Sequence, residues 1–190
     1  MKTTSIMIVG VGGQGSLLGS KLLGRLLVDE GYDVKVSEVH GMSQRGGSVV
    51  TYVRFGEKVY SPIVTAGEAD FIISFEKLEA ARYAPYLKAD GRIIVNTQEI
   101  DPMPVIIGAA EYPNDVLDEL TAKGLNVEAL DALTPATLAG SAKAVNIVLM
   151  GRTAKYFDIP YEKWISAIEN TVAPKFVDMN KKAFELGYNS

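Results

Sequence analysis

The sequence predicts an α/β fold: a Rossmann-like three-layer sandwich with a mostly parallel sheet, a β-hairpin insertion and C-terminal helices. Three observations carry that prediction. An apolar run, Ile6-Met7-Ile8-Val9, leads directly into the glycine turn Gly10-Val11-Gly12-Gly13-Gln14-Gly15, and a segment of helical periodicity follows. A continuous apolar run of this length suits a strand buried on both faces. Further apolar strands, at Phe71–Phe75 and Arg92–Asn96, alternate with helical stretches, and this alternation marks a parallel sheet with covering helices.

The elements follow in order. Leu17, Leu18, Leu22, Leu26 and Leu27 recur at helical spacing, and Gly31 is placed to end that helix. Asp33-Val34-Lys35-Val36-Ser37-Glu38-Val39 alternates like a strand, so the first forty residues read as one βαβ unit. His40-Gly41-Met42-Ser43-Gln44-Arg45-Gly46-Gly47 is polar and glycine-rich, a loop. Val49–Phe55 and Lys58–Tyr60 flank Gly56-Glu57, which predicts a hairpin turning there. A helix is expected near Lys77–Leu87, and Asp90-Gly91 reads as a turn into the strand Arg92–Asn96. Pro102 and Pro104 interrupt the chain before Val105-Ile106-Ile107. A helix from Asn114 to Leu120 precedes a strand at Asn126–Leu130. Thr134-Pro135 is a cap-plus-proline signal for a helical region reaching Phe157, and Pro160 opens a helix carrying Trp164 and Ile168. A last helix spans Lys175–Leu186. With no internal repeat or linker, residues 1–190 are expected to form one domain.

Composition narrows the function classes. Nineteen basic against 23 acidic residues give a net charge of −4, so no general attraction to nucleic acid or to an anionic membrane is expected. The chain has no cysteine. It therefore offers no disulfide, no thiolate zinc site, no cysteine nucleophile and no ligand for an iron–sulfur cluster. One histidine and no carboxylate-rich loop leave no apparent metal site. The start of the chain lacks the apolar region of a signal peptide, and a cytoplasmic location is expected.

Two segments are candidates for chemistry. In the glycine turn, Gly10 suits a tight turn, Gly12 lets backbone approach a phosphate and Gly15 lets the helix pack closely. Gly13 and Gln14 complete a cradle whose free N–H groups and helix dipole favour an anion. Glu38 ends the second strand, where a Rossmann acid meets a ribose hydroxyl. The second candidate is the loop carrying His40, Ser43, Gln44, Arg45, Gly46 and Gly47, expected on the same sheet edge. Arg45 suits a phosphate, a carboxylate or an acidic partner. His40 is a candidate acid–base group, although a lone histidine more commonly has a structural role. Glu76 and Glu79 are explained by the dipole of a helix start. Trp164, Tyr161, Phe157 and Tyr156 read as core or interface.

Together the glycine turn Ile6–Gly15, the segment Ser37–Gly47, Val53-Arg54-Phe55-Gly56, Gly67-Glu68-Ala69-Asp70, Phe75–Tyr83 and Asn96-Thr97 resemble the gamma-type subunits of the 2-oxoacid:ferredoxin oxidoreductases, and within that family the indolepyruvate branch. The resemblance implies an accessory subunit of a hetero-oligomer, inactive alone. It implies larger partner subunits holding thiamine diphosphate, magnesium and iron–sulfur clusters, oxidising the 2-oxoacid to an acyl-CoA and passing electrons to ferredoxin. It assigns no cofactor to this chain alone, and offers coenzyme A, which some members of the family bind through this domain, or another nucleotide as the candidate ligand. The glycine turn and Glu38 alone leave two other readings, a stand-alone NAD-dependent dehydrogenase and a non-catalytic nucleotide-binding interaction module.

Overall fold

The computed structural model describes residues 3–41 and 46–190. β1 (Thr4–Val11) is followed by α1 (Ser16–Asp29), β2 (Asp33–His40), β3 (Ser48–Gly56) and β4 (Ala69–Ser74). Then come α2 (Lys77–Tyr83), β5 (Leu87–Asn96), a short α3 (Met103–Ile106), α4 (Val116–Ala122) and β6 (Asn126–Leu130). Four helices close the chain: α5 (Leu133–Ala139), α6 (Val145–Ala154), α7 (Tyr161–Thr171) and α8 (Val177–Tyr188).

The six strands form one sheet in the order β2-β3-β1-β4-β5-β6. β1, β4, β5 and β6 are parallel neighbours, while β3 runs antiparallel to both β1 and β2. Strand alternation separates two apolar layers. Ile6, Ile8, Ile73 and Ile94 face α1, Trp164 of α7 and Phe184 of α8. Met7, Val9, Ile72, Ile93 and Val95 face Ala80 of α2 and Val116 and Leu120 of α4. The expected three layers are present.

The position of β3 departs from the simple βαβ reading. β1 and β2 point the same way but are not neighbours, because β3 lies between them. The antiparallel pair that exists is β2–β3, from Asp33↔Gly56 to His40↔Val49. The reversal expected at Gly56-Glu57 has no return strand: both edges of β3 are already paired. Val59 instead gives its N–H to Asp33 Oδ2 (2.9 Å), and Arg54 binds the carbonyls of Ser61 and Ile63. Asp90-Gly91 lies within β5, at a register shift against β4, and a Cβ on Gly91 would stand 2.9 Å from the Ala69 carbonyl oxygen. Asp131, not Thr134, caps α5, accepting from the N–H groups of Leu133 and Thr134. The helical region beyond is broken at Gly140, whose φ is 124°.

On the α1 side, the aromatic rings of Trp164 and Phe184 stack at 5.7 Å, and Phe157 meets Trp164 edge-on. Of the two roles the sequence offers for Trp164 and Phe157, core or interface, the structure shows the core. Helices α6 and α8 approach until backbone touches backbone. A Cβ on Gly187 would lie 2.0 Å from the Val148 carbonyl oxygen, and one on Gly151 2.2 Å from that of Phe184. Neither obstacle is a flexible side-chain end. Gly187→Ala is therefore expected to cost about 3 kcal/mol, the upper range for overpacking, read as a lower urea midpoint with an unchanged m-value. A loss under about 0.5 kcal/mol, the level of an ordinary surface change, would contradict the tight helix contact.

Candidate functional site

The C-terminal ends of β1, β4 and β5 form one edge, and the glycine turn sits at the end of β1. Gly10 still pairs with Val49 of β3, and a Cβ there would meet Gln14 Oε1 at 2.8 Å and Phe75 Cβ at 3.1 Å. Gly15 has φ 87°, and a Cβ on it would lie 2.6 Å from Asn146 Nδ2 of α6. That amide donates to the Gly15 carbonyl at 3.0 Å. Gly15 thus admits the start of α6 and not only the close packing of α1 on the sheet.

The backbone of the turn divides into engaged and free groups. Gly12 N–H donates to the Gly47 carbonyl (2.8 Å), and Gly46 N–H returns a bond to the Gly12 carbonyl (3.4 Å). The amide that the motif would present to a pyrophosphate is therefore already bound by the β2–β3 connection. Gln14 turns inward. Its Oε1 accepts from Val11 N–H (2.8 Å), and its Nε2 donates to the Phe75 carbonyl (3.0 Å) and to Gln98 Oε1 (3.4 Å). It fills the crevice between β1 and β4, where a doubly wound sheet normally admits its ligand. No side chain caps α1, and the amides of Gly13, Gly15, Ser16 and Leu17 have no partner among the described residues.

Those free amides open onto a cleft of about 450 Å³ between the start of α1 and the end of β2. Gly12, Gly13, Gly15, Glu38 and His40 line it, joined by Ser16 and Leu17. Gly10 and Gln14 do not; Gln14 lines a neighbouring recess with Gln98 and Lys143. Because β3 intervenes, Glu38 stands two strand spacings from β1, about 10 Å, not one. Glu38 and His40 are both exposed, and the His40 ring lies 3.2 Å from the Gly41 carbonyl. Ser43, Gln44 and Arg45 lie outside the described residues. Gly46 and Gly47 serve the strand return through their bonds to Gly12.

The cleft fits a phosphate: among the described residues nothing caps the helix start or takes its donors, and the dipole favours negative charge. It does not fit the pyrophosphate of a dinucleotide held in the usual way, since the Gly12 amide and the switch-point crevice are both taken. With no cysteine, the chain has no thiolate ligand for an iron–sulfur cluster.

Two buried carboxylates near the site have long-range partners that the sequence pattern does not reveal. Glu76 is 1% exposed and accepts three bonds. It caps α2 through Glu79 N–H (2.9 Å) and takes the Tyr112 hydroxyl and Ile100 N–H, so it fastens both ends of the segment 100–112. Glu79, 5% exposed, accepts from the Ser48 hydroxyl and pairs with Arg82 at 3.2 Å. A helix-dipole account explained both carboxylates, and only the long-range partners reveal their work.

The fold and the cleft define a Rossmann-like α/β subunit with an anion-ready edge and no thiolate cluster ligands. The family model described as pyruvate ferredoxin/flavodoxin oxidoreductase matches residues 5–190, and the chain belongs to that family. An indolepyruvate oxidoreductase subunit IorB of Thermococcus kodakarensis is 45% identical, over 98% of this chain and 95% of its own. Pyruvate oxidoreductase subunit PORC of Thermotoga maritima shares the fold, with a TM-score of 0.75 at 20% identity over 100% of this chain and 97% of its own. The fold also recurs, with a TM-score of 0.72 at 17% identity, as 31% of a longer chain of the 2-oxoglutarate:ferredoxin oxidoreductase of Magnetococcus marinus, solved with 2-oxoglutarate, coenzyme A and succinyl-CoA bound.

Burial pushes the Glu79 carboxyl above its usual range, against the Ser48 hydrogen bond and Arg82, which pull it down. A folded-state carboxyl pKa above the unfolded one means that the folded chain binds more protons between the two values. Stability therefore falls as pH rises through that window. Glu79→Gln removes the titration, so the stability of the wild type relative to this variant is expected to decline from the ordinary carboxylate pKa, about 4.3, toward neutral pH. Urea midpoints measured across that range check it; a difference that does not vary with pH would contradict the raised carboxyl.

Proposed function

We propose that this chain is the small accessory subunit of a 2-oxoacid:ferredoxin oxidoreductase of the indolepyruvate type, and that its cleft holds a phosphate of coenzyme A. The observation that carries the first part is a member of a redox family with no cysteine at all. On this reading thiamine diphosphate, magnesium and the iron–sulfur clusters belong to one or more larger partner subunits. Those subunits decarboxylate the 2-oxoacid and pass electrons to ferredoxin.

The free amides of Gly13, Gly15, Ser16 and Leu17 would bind and orient the phosphate, with the start of α1 supplying the favourable field. Coenzyme A, unlike NAD, asks this chain for no acid one strand from the turn and no hydride-transfer geometry. The engaged Gly12 amide, the inward Gln14 and the interposed β3 all weigh against a stand-alone dehydrogenase. Arg45 keeps its proposed role as a counter-charge to the ligand or to a partner's acidic group.

The chain purified alone is expected to show no 2-oxoacid-dependent reduction of a viologen dye and to gain it on mixing with the larger subunit; activity without a partner would refute the accessory role. Ser16→Glu places a carboxylate at the mouth of the cleft, where the helix dipole welcomes it. Its melting temperature is expected to hold or rise, while the KM of the complex for coenzyme A increases about tenfold, the scale of one charge-assisted bond lost. An unchanged KM would remove coenzyme A from this cleft.

A further inference from the structure

The start of β3, whose Val49 lines the cleft, is held from the far side of the sheet. Side chains alternate across β3, so Val49 faces the cleft while Ser48 faces α2. Ser48 pairs in register with Val11 of the glycine turn. Its hydroxyl donates to Glu79 Oε2, and the Tyr83 hydroxyl stands 3.4 Å away. One residue earlier, the Gly47 carbonyl receives Gly12 N–H at 2.8 Å. Glu79 is itself fixed, since its own N–H is bound by Glu76 and its Oε1 by Arg82. The cap of α2 does not need Glu79, because Glu76 supplies it.

We propose that Glu79 is a positioning residue for the glycine-turn cleft: through Ser48 and Gly47 it holds the start of β3 against Gly12 and so sets the gap between the turn and Glu38–His40. The ligand part of this inference rests on the cleft binding coenzyme A; the clamp itself does not. Glu79→Ala and Ser48→Ala release the same link, so their combination is no worse than either alone. Glu79→Gln keeps an acceptor for Ser48 and retains most of the clamp.

The test uses the assembled complex carrying each variant. Hydrogen exchange of peptides covering Gly12 and Gly47 is expected to speed up about fivefold in Glu79→Ala, in Ser48→Ala and in the double variant, the size of one net hydrogen bond. Glu79→Gln should stay near the wild type. The KM for coenzyme A is expected to rise in the same variants, with kcat unchanged. A purely structural glutamate would lower the melting temperature and leave both the local exchange and the KM alone, and that result overturns the proposal. Exchange that responds while the KM does not also overturns it, provided Ser16→Glu raises the KM. If Ser16→Glu has no effect either, the failure belongs to the coenzyme A assignment, and the exchange data alone decide the clamp.

Discussion

The antiparallel insertion of β3 between β1 and β2 is the constraint on which the candidate site depends. To enter that slot, the chain must reverse over the C-terminal edge of the sheet, and the reversal lands on the glycine turn. The Gly12–Gly47 and Gly46–Gly12 bonds are the outcome. They take one turn amide out of service and leave the donors at the start of α1. They also place Glu38 and His40 across a gap set by a strand's width. A fingerprint that usually brings a pyrophosphate onto a crevice between parallel strands is thereby turned sideways, toward α1 and β2.

The crevice itself is closed by Gln14, whose amide reads the ends of β1, β4 and β5 through Val11, Phe75 and Gln98. Below it, α2 works as a fastening. Its first turn presents two buried glutamates, one holding the segment 100–112 and the other the return of β3. The α2 layer is thus tied to the segment 100–112 and to the start of β3 through hydrogen bonds and not only through packing. Burying two carboxylates three residues apart is expensive, and each is met by several donors, so the cost is offset where it arises.

Much of this was legible in the sequence. The buried run Ile6–Val9, the alternation at Asp33–Val39 and the strands ending at Phe75 and Asn96 emerge from periodicity alone, and the glycine turn falls where its context places it. What periodicity does not carry is strand order. Asp33–Val39 and Val49–Phe55 look the same whichever neighbours they take, so the pattern points to a reversal at Gly56-Glu57 although β3 has no free edge left. The roles of Gln14, Glu76 and Glu79 were hidden for a related reason. Their long-range partners lie 24 and 36 residues away for Glu76, 31 for Glu79, and 61 and 84 for Gln14, and a local dipole argument accounts for a glutamate without asking what it touches.

The same insertion shapes how the chain reaches its native form. During synthesis β1, α1 and β2 emerge first, and by themselves they are a complete crossover unit whose two strands can pair side by side. The native sheet needs that slot kept open until β3 arrives, since β3 pairs with both. Premature closure of β1 on β2 is therefore a built-in competitor, of the kind that makes non-local sheets slow and exposed while folding. The bonds that Gly46 and Gly47 make to Gly12 are available only to the arrangement with β3 in the slot, so they favour it over the premature pair.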